Sequence, residues 1–425
     1  MSRLPQAEIK LGELCNNRCV FCISGHLTSE KRAPLVSALD LKERVRQAHE
    51  SGVRRITLLG GEPTIQPAFR EVVEYAVGLG FDEIVIFSNG SRTGHTRLMD
   101  EVLASGGQFE WRFSFQGGNR EAHERTTGRK GSFRGLLESL ERAAEREQKV
   151  TINCCVVNQN YDSLPDFPEL LAPYAIAHVH IDMLHPGDLP EPKKGRLGEL
   201  MPRYSELVEP LRRMVRGFPP DLERSIGNLP FCIAPDLSPF IQHGGEETWV
   251  VGASDTWNKY DDKTSAKTKL PACEGCALSP RCGGVYRAYL ELHGDSEIVA
   301  IPPDTLAPEL ALPTLSPRLA RRLERLRERA PFGRLSWLGV EALDSGRELR
   351  VRFRSPRGET AELSLVDGPA GVRGGYRVED DPSRASDELR DGLAAILDAL
   401  GQLGRSGVVA GEQRRAKSLA VVGDQ

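Results

Sequence analysis

Several features are missing from this 425-residue sequence, and each absence removes a class of function. No apolar run approaches the ~20 residues needed to span a bilayer, so no membrane span is expected. The first ten residues, MSRLPQAEIK, hold no apolar signal core, and a cytoplasmic protein is the default expectation. Positive charge is not in excess. The formal net charge is −4 and the pI about 6.2, which argues against a general binder of nucleic acid or membrane surfaces. Internal repeats are also lacking. The nine cysteines are too few for a disulfide scaffold of this length. They are also unevenly placed: Cys15, Cys19 and Cys22 form one group, and Cys273, Cys276 and Cys282 another. Cys154 and Cys155 are adjacent, and Cys232 stands alone. In a chain without an export signal, such grouping points to metal or redox chemistry.

What is present is an ordinary soluble composition, 39% apolar and 27% charged, long enough for two or three domains. Over the first ~190 residues strand-like and helix-like patterns alternate. Ala7–Leu14, Arg54–Leu59, Glu83–Ser88, Phe109–Phe115, Val150–Val157 and His178–Met183 read as six strands. Helical faces are expected at Leu41, Val45 and Ala48, over Phe69–Val77, at Phe133, Leu136, Leu137 and Leu140, and near Leu164–Leu171. The expected fold is α/β, a partial (β/α)6 TIM-type barrel over 1–190 with its chemistry at the C-terminal strand ends. An irregular Pro- and Gly-rich extension over 191–300 carries the later cysteines. A Pro-rich linker over 301–317 follows, then a small α+β domain over 318–404 and a disordered tail over 405–425. In the small domain Ser316–Pro317 reads as a helix start, with Leu319, Leu323 and Leu326 on the inner face. Strands are expected near Leu349–Phe353, Ala361–Val366 and Tyr376–Glu379. A last helix begins near Ser386, with Leu389, Leu393, Ile396, Leu397 and Leu400 facing in.

Cys15-Asn-Asn-Arg-Cys19-Val-Phe-Cys22 directly follows the first strand. Thiolates are the usual ligands of iron–sulfur clusters. Three of them leave one iron of a cube open to an outside ligand; a zinc site is the plainer alternative. Gly60-Gly61-Glu62-Pro63 follows the second strand. There the glycines allow close backbone approach and Glu62 offers an acceptor to an ammonium group. Ser88-Asn89-Gly90 ends the third strand, and Ser114-Phe-Gln116 ends the fourth. Each of these alone also reads as a capped turn.

Taken together and in this order, they resemble the radical S-adenosylmethionine (SAM) superfamily. The cysteines match its CX3CX2C signature, Phe21 matches the aromatic residue before the third cysteine, and Gly60–Pro63 match its GGEP motif. The resemblance covers roughly residues 8–185. It implies a [4Fe–4S] cluster on Cys15, Cys19 and Cys22, with SAM on the open iron. It also implies SAM contacts from Phe21, Gly60, Gly61, Glu62, Pro63, Ser88, Asn89, Ser114 and Gln116. The implied activity is reductive cleavage of SAM to a 5′-deoxyadenosyl radical that abstracts hydrogen from a substrate. Electrons would come from a donor such as flavodoxin or ferredoxin.

The segment Cys273-X2-Cys276-X5-Cys282 resembles the auxiliary-cluster segment of SPASM and twitch extensions. Tyr286 stands where the SPASM pattern has its next cysteine, and none follows Cys282, so a seven-cysteine, two-cluster SPASM domain is excluded by count. Cys232 is the remaining loop cysteine and is assigned as fourth ligand of a single auxiliary [4Fe–4S] cluster. A zinc site, or three ligands with an open position, remain alternatives. Cys154 and Cys155 are expected as structural thiols, and no role is assigned to His178, His180 or His185. The substrate expectation is a peptide in the maturation of a ribosomally made product. A small molecule (sugar, nucleoside or cofactor precursor) and a non-catalytic metal-binding protein are the alternatives.

Overall fold

The computed structural model describes residues 6–399 except 23, 25, 95–96, 190–194, 220–221, 244–247, 252–255, 280–281, 303–318, 320–321, 324–325, 327–333, 344–347, 369–370 and 379–385. The expected linker from 303 onward, the Ser316–Pro317 helix start, most of the helix after it, Glu379, Leu400 and the tail lie outside the described residues. So does the side chain of Leu397.

The first half builds a sheet of parallel strands joined by helices. The strands are β1 (Gln6–Lys10), β2 (Arg55–Leu59), β3 (Glu83–Ser88), β4 (Phe109–Ser114), β5 (Lys149–Val156) and β6 (Ile176–Met183). They lie side by side in chain order, each parallel to the next. The helices between them are α1 (Ala38–Glu50), α2 (Phe69–Leu79), α3 (Leu98–Leu103), α4 (Arg120–Thr127), α5 (Ser132–Glu145) and α6 (Phe167–Leu171). Their starts and stops have local causes. The Ser37 hydroxyl accepts the Asp40 N–H at 3.1 Å to cap α1. Gly80, at φ +80°, ends α2 in the left-handed conformation glycine adopts without strain.

Alternation along each strand sorts the two faces. Ile56, Leu58, Ile84, Ile86, Trp111, Phe113, Ile152, Val179 and Ile181 are buried with α1 residues Leu41, Val45 and Ala48 and α5 residues Leu136, Leu140 and Ala143 in one core. Each such side chain stabilises the fold by roughly 1.5–3 kcal/mol. The opposite face is polar. It carries Glu8, Thr57, Glu110, Arg112, Ser114, Thr151, Asn153, Cys155, His178, His180 and Asp182. A partial barrel with a polar lumen results.

The sheet continues past the expected boundary at residue 190. Strands β7 (Glu223–Gly227) and β8 (Ile241–Gln242) add beyond β6. Strand β9 (Thr248–Val251) pairs parallel with β1, and β10 (Thr256–Asn258) pairs antiparallel with β9. The irregular stretch also holds α7 (Leu197–Leu200) and α8 (Tyr204–Gly217). Pro210 inside α8 masks its pattern, although Tyr204, Leu207, Leu211, Met214 and Val215 bury one face. Then come α9 (Lys259–Ser265), a two-stranded ribbon of β11 (Lys267–Thr268) and β12 (Val285–Tyr286), and α10 (Arg287–His293). Tyr204 of α8 stacks on Tyr289 of α10 at 3.8 Å, which ties two parts of the extension together.

A second core belongs to the C-terminal part. Strands β13 (Ser336–Leu343), β14 (Glu348–Arg354), β15 (Thr360–Gly368) and β16 (Gly371–Val378) form an antiparallel meander, followed by α11 (Asp387–Ala399). Leu349, Val351 and Phe353 of β14 and Ala361, Leu363 and Leu365 of β15 pack with Leu389, Leu393 and Ile396 of α11. Leu319, Leu323 and Leu326 join the same core. Among the described residues no helix is long and apolar enough to cross a membrane.

Candidate functional site

The loop after β1 and the turns after β2 and β3 meet at the C-terminal edge of the sheet. Glu62 N–H donates to Leu14 O at 2.8 Å, and the Gln66 amide donates to the same oxygen at 2.7 Å. This close approach depends on Gly61. At φ +50°, a Cβ there would stand 2.3 Å from Leu14 O and 2.7 Å from the Glu13 carbonyl carbon. Both neighbours are backbone and cannot swing aside.

Glu62 is buried, and its carboxylate organises the turns. Oε1 accepts from Thr64 N–H (3.1 Å), Thr64 Oγ1 (2.6 Å) and Ser88 Oγ (2.8 Å); Oε2 accepts from Asn89 N–H (2.7 Å). Burial raises its pKa, and these four donors pull it back. A carboxylate oxygen has two acceptor positions, so Oε2 keeps one for an ammonium group.

Asn89 carries the connection on to the cysteines. Its Nδ2 donates to Asn16 Oδ1 at 2.8 Å and lies 4.0 Å from Cys15 Sγ. Cys15 Sγ accepts the Asn17 N–H at 3.4 Å, and Thr28 Oγ1 holds the Cys15 N–H at 2.8 Å. Burial first, then the nearby Glu62 and Cys22, push the Cys15 thiol up to about 12. A cation that replaces the proton reverses that balance. Cys22 N–H donates to Cys19 O at 3.2 Å, which closes the loop on itself. Phe21 packs half-buried against the main core.

The ends of β4 and β5 are joined by side-chain bonds. Gln116 is buried, and its amide is engaged within the sheet top. Nε2 donates to Ser114 Oγ at 2.6 Å, and Oε1 accepts the Cys155 N–H at 3.0 Å. Cys154 is fully buried in the core, and burial raises its pKa. Cys155 is half-buried and faces the lumen.

The later cysteines come together. Cys232, Cys273, Cys276 and Cys282 line one pocket, with Phe231, Leu278 and Ile298 among its walls. All nine cysteines are free thiols. Backbone N–H groups point at the sulfurs: Gly284 to Cys282 at 3.4 Å and Ile301 to Cys276 at 3.5 Å, with Val299 facing Cys232 and Phe231 facing Cys282. Cys232 is pushed up to about 12 by burial and by the other three thiols. Amide donors to sulfur suit an iron–sulfur cluster, whose potential depends on them. A lone Zn²⁺ would draw thiolates to about 2.3 Å of one point. Among the described residues no three His, Cys, Asp or Glu side chains converge on a single ion. Both sulfur groups consist of thiol donors, and backbone amides face the sulfurs of the later one.

Three features escaped the sequence reading. Thr28 and Asn16 brace the cysteine loop. His243 Nε2 lies 3.8 Å from Cys282 Sγ. The third is a charged cluster around Asp182 that includes Asn228, a non-glycine residue at φ +66°. Tyr286, noted in the sequence at the position of the SPASM pattern's next cysteine, is a buried wall, its ring 5.4 Å from His185.

Parts of the chain are similar to known proteins. Residues 9–171 match the Radical SAM superfamily. Mycofactocin maturase MftC of Mycolicibacterium smegmatis is 32% identical over 183 residues, 40% of this chain and 42% of that protein. GTP 3′,8-cyclase of Syntrophomonas wolfei subsp. wolfei is 30% identical over 195 residues, 44% of this chain and 58% of that protein. The chain therefore spans about half the length of these relatives. The structure of Streptococcus suis SuiB bound to precursor peptide SuiA aligns over 71% of this chain and 76% of that one, at 15% identity and a TM-score of 0.49.

Proposed function

We propose that the chain, whose residues 9–171 match the Radical SAM superfamily, reductively cleaves SAM and abstracts hydrogen from a peptide substrate during its maturation. The observation that carries the first part is the link from Cys15 through Asn89 to Glu62. It ties the turns after β1, β2 and β3 into one site. In this reading Cys15, Cys19 and Cys22 would hold a [4Fe–4S] cluster, with SAM bound beside it. Glu62 Oε2 accepts from the SAM amino group, and Gly60, Gly61, Pro63, Ser88 and Asn89 shape the pocket beside it. Phe21, Ser114 and Gln116 support the site from its rim. Cluster and SAM together supply a 5′-deoxyadenosyl radical to the lumen. The residues of the chain orient the cofactors and exclude water, which would otherwise quench a reactive intermediate.

Cys232, Cys273, Cys276 and Cys282 hold a second, auxiliary [4Fe–4S] cluster in this reading, supported by the shared pocket and the amide donors. The peptide assignment is supported by the maturase named among the relatives. A small-molecule substrate is the second reading, favoured by the GTP cyclase of comparable identity. A ferredoxin or flavodoxin is the proposed electron donor, in the cytoplasm. The division at residues 190, 300 and 317 is retained for the functional parts, although the sheet itself runs on to Asn258.

The test is anaerobic reconstitution, addition of SAM and a strong reductant, and mass spectrometric detection of 5′-deoxyadenosine, with Cys15→Ala alongside. Formation only with the intact cysteine loop supports the reading. A reduced, cluster-loaded protein that makes none, with or without candidate peptides, turns it toward a binding protein.

A further inference from the structure

Beyond the two cysteine sites, the lumen holds a compact charged cluster where β6 and β7 end. Asp182 Oδ1 accepts from Asn228 Nδ2 at 2.6 Å and Oδ2 from Lys263 Nζ at 2.5 Å. The Asn228 carbonyl oxygen accepts from Lys267 Nζ. His180 Nε2 lies 4.0 Å from Asp182, and its Nδ1 pairs with Ser225 Oγ at 2.7 Å. Lys267 also sits 5.1 Å from the centre of the Tyr286 ring. Gly227 makes room for this arrangement, since a Cβ there would stand 2.3 Å from Asp182 Oδ1.

Among the described residues Lys263 holds the Asp182 carboxylate, and Glu8, which also faces Lys263, is held by Lys259. Lys267 is 5% exposed, and among the described residues its ammonium makes no carboxylate ion pair. A buried charge without a counter-charge costs several kcal/mol. The cluster therefore favours one added anion. Beside it, the Asp182 and His180 side chains keep 19% and 25% exposure. Register sets its height: Asp182 pairs with Cys155, and Cys155 N–H meets Gln116, so the cluster lies at the same C-terminal rim as the SAM-site turns.

We propose that Lys267, aimed by Asn228 and flanked by Lys263, binds a carboxylate of the substrate and so holds it between the SAM site and the auxiliary cysteines. The carboxylate belongs to an acidic side chain or to a chain terminus of a peptide. Burial, together with Lys263, pulls the Lys267 pKa down to about 8, against the opposing pull of Asp182 and Cys282. A bound carboxylate would restore the charged form, which adds to its affinity. This inference rests on the reading that the lumen receives substrate.

The test is ligand-observed saturation-transfer NMR on the anaerobically reconstituted protein, without SAM or reductant. The probes are N-acetylglutamate N-methylamide, its glutamine counterpart, N-acetylalanine and inorganic phosphate. A signal is expected from a carboxylate probe and not from the glutamine probe. It should fall at least fivefold in Lys267→Met and persist in Lys267→Arg. Asn228→Asp supplies the missing negative charge from within and should abolish the signal as well, which keeps the test valid if Lys267→Met unfolds. The stronger of the glutamate and alanine probes identifies the side chain or the terminus as the source. Equal signals from the glutamate and glutamine probes, survival of the signal in both charge variants, or binding of phosphate alone would overturn the proposal. Because no turnover is involved, a protein that binds the carboxylate but makes no 5′-deoxyadenosine refutes the functional reading and leaves this one standing.

Discussion

Gly61→Ala is the substitution whose effect follows most directly from the structure. The new Cβ would lie 2.3 Å from Leu14 O, 2.7 Å from the Glu13 carbonyl carbon and 2.8 Å from the Leu14 carbonyl carbon. Overpacking of this kind costs about 1–3 kcal/mol, and the left-handed φ adds about 1–2 kcal/mol for a residue with a Cβ. The total of about 2–5 kcal/mol is released in one of two ways. If the chain keeps its shape, stability falls, and Tm should drop by at least about 4 °C. If the cysteine loop moves off the turn, the Glu62 N–H to Leu14 bond is lost and Cys15 separates from Asn89. SAM affinity should then fall by about 1.5 to 3.5 decades. Equilibrium dialysis with labelled SAM and a melting curve on the reconstituted protein measure both. Gly52→Ala is the control, since a Cβ there meets nothing within 4 Å and only the φ cost applies. If Gly61→Ala leaves both Tm and SAM affinity within twofold or 1 °C of the parent, the close approach at Gly61 does not position the site, and the reasoning fails.

Three further outcomes are expected. Cys15→Ala should lose one cluster's iron, all SAM cleavage and the SAM-sensitive part of the EPR spectrum, while the second cluster stays. Cys232→Ala should do the reverse, removing the auxiliary signal while leaving SAM-dependent spectral changes, measured by iron analysis and EPR of the reduced protein. Acid stability should depend on Glu110 at the lower end of the lumen. Burial alone would raise its pKa, but Arg112, Arg55 and Lys149 outweigh burial and hold it at about 2, against an ordinary value of 4.5. A depressed carboxylate pKa stabilises the fold above the unfolded value and loses that contribution as pH falls from about 4.5 towards 2, on the order of 3 kcal/mol in all. Lys149 Nζ lies 2.8 Å from Glu110, so Lys149→Met should shrink the stability difference between pH 6 and pH 3 in urea titrations.

Some of this was legible before any coordinates. Six strands of the barrel appear in the sequence because each is a short apolar run closed by a turn, and such runs are buried on the helix side whatever their neighbours. Strand β1 ended sooner than its pattern suggested, at Lys10, because Gly12 and the cysteine loop take the chain out of the sheet. The strands after residue 190 were not legible. β8 and β11 are two residues long, too short for any period, and β9 is a strand because β1 offers it an edge. Helix α8 was hidden by Pro210, which sits in its interior with the apolar face still intact.

For the site itself, sequence alone determined the chemistry of the donors. Three thiols in eight residues and a Gly-Gly-Glu-Pro turn restrict what can bind there, because ligand type and backbone freedom are local properties. Tertiary structure decided the assembly. It placed Asn89 between Glu62 and Cys15, brought Cys232 to a pocket shared with cysteines about 40 residues away, and turned Gln116 inward as a strap between strands. It also gathered Asp182, Asn228, Lys263 and Lys267, which are separated in the chain and carry no common motif, into one charge cluster. Distances between segments depend on how helices and strands pack, and that information is held by the whole core and by no single stretch of residues.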